Sequence, residues 1–94
     1  MSGPESSWNY RVTRTKVDGE YVFEVREVYY TYGQAHSWSA DPIAPYGESW
    51  HELAEDLVKM QRAVSVPVLD LTGDKPRDMT LSEMARTRVK GDAR

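Results

Sequence analysis

Residues 8–32, "WNYRVTRTKVDGEYVFEVREVYYTY", decide the fold. The first ten alternate, with Trp8, Tyr10 and Val12 on one side and Asn9, Arg11 and Thr13 on the other. That period of two, carried by aromatic and β-branched residues, specifies a strand with one covered side. Asp18-Gly19 is the signal of a two-residue hairpin turn. Residues 21–32 then form a second, longer strand rich in strand-favouring side chains. Its phase drifts: Tyr21, Phe23 and Val25 share a side, but strict alternation would add Glu27. A bulge near Arg26 and Glu27 would return Val28 and Tyr30 to the inner side.

Downstream, Gly33 marks a second turn and "AHSWS", 35–39, a short third strand. Two prolines and a glycine make 41–47 a connection. Ser49 is a natural helix N-cap, and Glu52 three residues on completes a capping box. Trp50, Leu53, Ala54, Leu57, Met60 and Val64 then recur at helical spacing as one apolar stripe, expected to lie on the sheet. Acids crowd the first turns and Lys59 and Arg62 the last, which suits the helix dipole. "VPVLDL", 66–71, can form a final short strand. Thr80 and Glu83 repeat the capping pattern, and Leu81, Met84, Ala85 and Val89 give a narrow tail stripe.

The expected fold is α+β: a small antiparallel ββ(β)αβ sheet with one covering helix and a short C-terminal helix. Residues 1–7 are expected to be a disordered lead-in, 8–71 the single domain, and 72–94 a linker with a short basic helical tail.

The 94 residues suffice for one domain of thin stability margin. The absence of cysteine excludes disulfides and thiolate metal sites, and fits a cytoplasmic chain. "MSGPESSWNY" has no basic stretch followed by an apolar one, so no signal peptide is expected, and no apolar run is long enough to span a membrane. The net charge of −3 divides unevenly. Residues 8–17 carry Arg11, Arg14 and Lys16 without an acid, 18–72 are acidic, and 73–94 are basic.

Gly47-Glu48-Ser49-Trp50-His51 imitates a nucleophile elbow, yet His51 stands where the second glycine belongs and Ser49 already has a capping role. His51 and Glu55, with His36 or Asp41, fall short of the four ligands a structural metal site needs. The carboxylates lie in charged surroundings that would not raise a pKa, and no glycine loop cradles phosphate. No catalytic residue, metal or cofactor is expected. The aromatic residues are more informative. Tyr29, Tyr30 and Tyr32, with Trp38 on the next strand, are expected to populate an open sheet face, because one helix covers only one side. Exposed tyrosine and tryptophan are hot-spot material at protein interfaces. Arg14, Lys16 and Arg26 would supply rim charge, and Leu81, Met84, Arg86 and Arg88 further tail contacts. A homodimer through a sheet edge or the tail stripe is expected. The competing reading is a nucleic-acid-binding accessory protein that uses the basic first strand and tail.

The element order, with "YGESWHELAEDLVKMQRAV" (46–64) opening the helix, resembles the HicB-like antitoxin domain over residues 8–71. Gly47, Glu48, Ser49, Leu53 and Ala54 approximate that family's helix start. The resemblance implies a sheet of three or four strands on one helix and a role in occupying a partner protein. "DPIAPYG" is only loosely similar to the family's proline-rich segment. The tail is too short for the DNA-binding helix-turn-helix that many members carry. The chain is also similar to small proteins of bacteria and phages, which makes a phage-encoded inhibitor the related expectation.

Overall fold

A computed structural model describes residues 6–85. The elements are β1 (Ser6–Val17), β2 (Glu20–Thr31), β3 (Gln34–Trp38), α1 (Trp50–Arg62), a 3-10 turn (Ala63–Ser65), β4 (Leu69–Asp70), β5 (Arg77–Asp78) and α2 (Leu81–Ala85). They form a five-stranded sheet in the order β3-β2-β1-β4-β5 with one main helix, an α+β fold. The sheet is mixed rather than wholly antiparallel. The chain crosses back through α1, so β4 lies parallel to β1, pairing Leu69 with Thr13 and Asp70 with Arg14. Ser6 and Ser7, expected in the lead-in, already belong to β1, and residues 1–5 lie outside the described residues.

The long hairpin forms because both of its central turn residues adopt left-handed backbone. Asp18 (φ 52°) and Gly19 (φ 82°) give a turn whose twist matches that of the strands. β1 and β2 then pair without interruption from Val17–Glu20 to Ser6–Thr31. The expected bulge near Arg26 is therefore absent, and the register shift falls between Tyr29 and Tyr30, in the pairing of β2 with β3. One face carries Trp8, Tyr10, Val12, Arg14 and Lys16 beside Tyr29, Glu27, Val25, Phe23 and Tyr21. The other carries Asn9, Arg11, Thr13 and Thr15 beside Val28, Arg26, Glu24 and Val22.

The phase drift in β2 has a physical cause: both faces are covered in part. The buried apolar residues are only Val28, Ala63, Leu69 and Met79 among those described. Between them lie buried Arg11, Thr13, Arg14, Arg26 and Asp70. Arg11 and Arg26 stand directly opposite each other, an arrangement of like charge that requires compensation. Arg11 Nη2 donates to Asp78 (2.9 Å) and to the Pro67 carbonyl (2.7 Å), while Nη1 donates to the Tyr30 hydroxyl (3.0 Å). Arg26 donates to the Thr13 hydroxyl at 2.9 Å and lies 3.5 Å from the Glu24 carboxylate. Apart from the Arg11 Nε, which is buried without a hydrogen-bond partner, these interior guanidinium groups meet acceptors, so charged residues fill much of the core here.

Residues 72–78, expected to be a linker, end in β5. Arg77 bridges Asp70 (3.3 Å) and Glu83 (2.9 Å), and Met79 is buried. The segment is thus tied to the domain as far as α2. There the second capping box is complete: the Thr80 hydroxyl accepts from Glu83 N (3.1 Å), and the Glu83 carboxylate accepts from Thr80 N (2.9 Å).

The helix begins where Ser49 places it. Its hydroxyl accepts from Glu52 N at 3.1 Å, and the Glu52 carboxylate accepts from Glu48 N at 2.9 Å. Ser49→Ala is expected to cost about 1 kcal/mol, read from a urea unfolding curve, with no other consequence. The apolar stripe does not lie wholly on the sheet, however. Met60 is partly covered, but Trp50 is 75% and Val64 71% exposed, and no residue of α1 is buried. A polar contact does the docking instead: Asp56 accepts from the Tyr10 hydroxyl (2.7 Å) and from Tyr46 N (2.9 Å).

Candidate functional site

The tip between β2 and β3 is a second two-residue hairpin turn. Gly33 (φ 78°) suits its left-handed geometry; Tyr32 (φ 53°) does not, because a side chain there crowds its own backbone. Tyr32 nevertheless adopts it, with 70% of its surface exposed. Since Thr31 pairs with Ser6, this tip lies at the end of the sheet where β1 begins, the end that the Trp8–Tyr29 pair also occupies. Trp8 is 49% exposed and meets Tyr10 edge to face, with ring centres 5.4 Å apart.

The expected aromatic site is gathered at this end, but not on one face. Tyr29 pairs with Trp8 on the face that carries Tyr10 and α1. Its hydroxyl donates to the Glu27 carboxylate, which pushes the phenol pKa up, with desolvation adding to the shift. Tyr30 lies on the opposite face, accepting from Arg11 and donating to Asn9 (2.9 Å). Trp38, paired with Val28, is half-buried on that same face. The aromatic side chains therefore wrap the end of the sheet and do not line an open side. The reason is the uninterrupted pairing of β2 with β1, which sends consecutive tyrosines to opposite faces.

The rim charge is placed differently from expectation. Arg14 is buried, donating from Nε (3.3 Å) and Nη2 (3.0 Å) to the two oxygens of Asp70. Its guanidinium also lies 4.0 Å from the centre of the Tyr21 ring, against which Lys16 packs at 5.1 Å. Arg26 is buried on Thr13. Of the three cations only Lys16 is exposed, and its partner in the register is Tyr21, at the far end of the hairpin. The basic first strand of the nucleic-acid reading accordingly turns Arg11 and Arg14 inward onto Asp78 and Asp70. In the tail, Leu81 is exposed and Met84 half-buried, while Arg86 and Arg88 lie outside the described residues.

Two grooves flank the aromatic end. On the α1 face a groove of about 470 Å³ is lined by Trp8, Asn9, Tyr10, Lys59, Arg62 and Val66. Its polar wall is fixed by Asp56: the hydrogen bond to that carboxylate, with desolvation, pushes the Tyr10 phenol up to about 12, and it holds Asp56 below the usual carboxylate range. On the other face a groove of about 320 Å³ runs between the Gly33–Ala35 side of the turn and Pro76–Asp78, floored by Arg11, Tyr30 and Leu69. Sequence reasoning counts Trp8 among the aromatic residues but leaves it out of the site; its pairing with Tyr29 puts it at this end. Among the described residues, no group of three or more His, Asp or Glu side chains is placed to hold a metal, and no helix is long and apolar enough to cross a membrane.

Fold and site define a small mixed α+β domain with a clasped aromatic end and a peripherally docked helix. Compared with known proteins, the chain matches no family model, no curated protein and no solved structure.

Proposed function

We propose that this chain is a non-catalytic protein-binding module that acts by occupying a partner, in the manner of an antitoxin or a phage-encoded inhibitor. The contact is the aromatic end: Tyr32 at its tip, Trp8 and Tyr29 on one flank, Tyr30 and Trp38 on the other. The observation that carries this reading is Tyr32 itself. Backbone strain of this kind persists where the surrounding structure imposes it, and it clusters at functional positions. A large amphipathic ring presented at a two-residue turn loses little entropy when it docks.

Tyr32→Asn separates the functional account from a structural one. Asparagine tolerates left-handed backbone, and Asn-Gly is the favoured pair for this turn. The variant is expected to be more stable by about 0.5–1 kcal/mol in urea unfolding. It is expected to capture its partner from lysate about tenfold less well, as removal of an interface hot spot demands. Equal capture by both proteins, or capture by neither, would overturn the reading. The gain in stability excludes misfolding as the cause of any loss.

A further inference from the structure

The outward side of α1 bears a second feature, which shares only Lys59 and Arg62 with the groove beside the aromatic end. His51, Ala54, Glu55, Val58, Lys59 and Arg62 line a shallow groove of about 300 Å³ along the helix. These residues are two consecutive quartets at i, i+3, i+4 and i+7, the pattern that forms a hole for a side chain of a neighbouring helix. The small Ala54 opens the floor, and Val58, 49% exposed, stands at the middle. Alongside run Trp50, Leu57 and Val64, seven residues apart and all exposed, so an apolar ridge borders the groove. A helix with this much apolar surface and no buried residue lacks its cover.

We propose that the cover is α1 of a second copy of this chain, packed antiparallel about a two-fold axis near the middle of the helix. Charge selects this occupant. The groove is acidic toward its start, at Glu55, with Glu52 and Glu48 before it, and basic toward its end, at Lys59 and Arg62. A surface with opposite signs at its two ends and a small apolar centre is complementary to itself once rotated by half a turn. Antiparallel packing sets Glu55 of each copy against Lys59 and Arg62 of the other, whereas parallel packing sets like against like. The two helix dipoles also oppose each other favourably in this orientation. The dimer contact is thus α1, not the sheet edge or the tail stripe.

The test is the mass in solution by light scattering over a concentration series. The wild-type protein is expected at twice the monomer mass. Glu55→Lys sets like positive charges across the axis, and Arg62→Glu like negative ones; each is expected to weaken the dimer by about tenfold or more. Both side chains are exposed, and circular dichroism checks that each variant keeps its fold. Mixing the two variants is expected to restore dimers. The lysine introduced at position 55 of one chain then faces the glutamate introduced at position 62 of the other, and the native Arg62 of the first faces the native Glu55 of the second. A monomeric wild type, a dimer indifferent to both substitutions, or a mixture that stays monomeric would each overturn the proposal. Tyr32→Asn leaves this mass unchanged, so failure here and failure of the aromatic contact are read separately.

Discussion

Asp70→Asn is expected to cost about 3–5 kcal/mol, the loss typical when one partner of a buried ion pair is removed. Asp70 is 4% exposed. Its carboxylate accepts from Arg14 through both oxygens, from the hydroxyl (2.7 Å) and N–H (3.1 Å) of Thr72, and lies 3.3 Å from Arg77. Asparagine keeps the shape and one acceptor but leaves the Arg14 charge buried without a counter-ion. For a domain whose whole stability is on the order of 5–15 kcal/mol, such a loss removes a large share of the margin. Urea unfolding at neutral pH is the measurement, and an unchanged midpoint would sink the idea of an interior held by this ion pair.

The same carboxylate predicts the shape of the acid limb. Desolvation pushes Asp70 up, but Arg14 and the two Thr72 donors outweigh it and hold the group at about 2. The unfolded chain titrates nearer ~3.9. A depressed folded value stabilises above the unfolded pKa and loses that contribution as pH falls through the folded one. Wild-type protein should therefore shed about 2 kcal/mol from this group between roughly pH 5 and 2, and Asp70→Asn should not. The gap between the two proteins narrows on acidification; a gap that widened would assign the acid limb to other groups.

Why this pair escapes a sequence reading is instructive. In β1 the alternation of Asn9, Arg11 and Thr13 with apolar residues reads as a solvent side, because charge in a period-two pattern ordinarily faces water, and Arg14, on the other side, reads as rim charge for the same reason. Arg11 instead finds Asp78 and Pro67, and Arg14 finds Asp70, partners 56 to 67 positions away. No local pattern announces a partner at that distance. β5 is illegible for the same reason: an Arg-Asp dipeptide has no strand preference, and ion pairs with Asp70, Glu83 and Arg11 secure it. Features that are legible have local causes. Asp18-Gly19 needs only its own backbone, and the caps at Ser49 and Thr80 need only the next turn. The helical stripe is an intermediate case. Its spacing does specify a helix, but spacing cannot say that Trp50 and Val64 fall beside the sheet rather than on it. The aromatic end is half legible: its residues are those expected, whereas their division between two faces depends on a register set by pairing partners.

Gly47→Ala is the second large effect, at about 3 kcal/mol, and it concerns the corner that imitates a nucleophile elbow. Glycine is required there for space, not for backbone angle. A Cβ on Gly47 would overlap Leu53 N and lie 2.7 Å from the Glu52 carbonyl carbon and 2.8 Å from Leu53 Cα. All three are backbone atoms of the first turn of α1, so no flexible side-chain end can yield. Ordinary overpacking costs about 1–3 kcal/mol, and an obstacle made of helix backbone belongs at the top of that range. Relief would require the connection to move off the helix, which weakens what Tyr46 N gives to Asp56 and Glu48 N to Glu52. Gly19→Ala is the contrast: nothing lies within 4 Å of its Cβ, and its φ of 82° leaves only torsional strain, about 1 kcal/mol. Unfolding free energies should rank Gly47→Ala well below Gly19→Ala and Ser49→Ala, with those two near each other. Equal losses in all three would mean that the close approach of residue 47 to the helix is wrong. If the predicted ranking holds, the corner's glycine and serine are both accounted for by how α1 begins: one clears the path of the chain, the other caps the turn it meets.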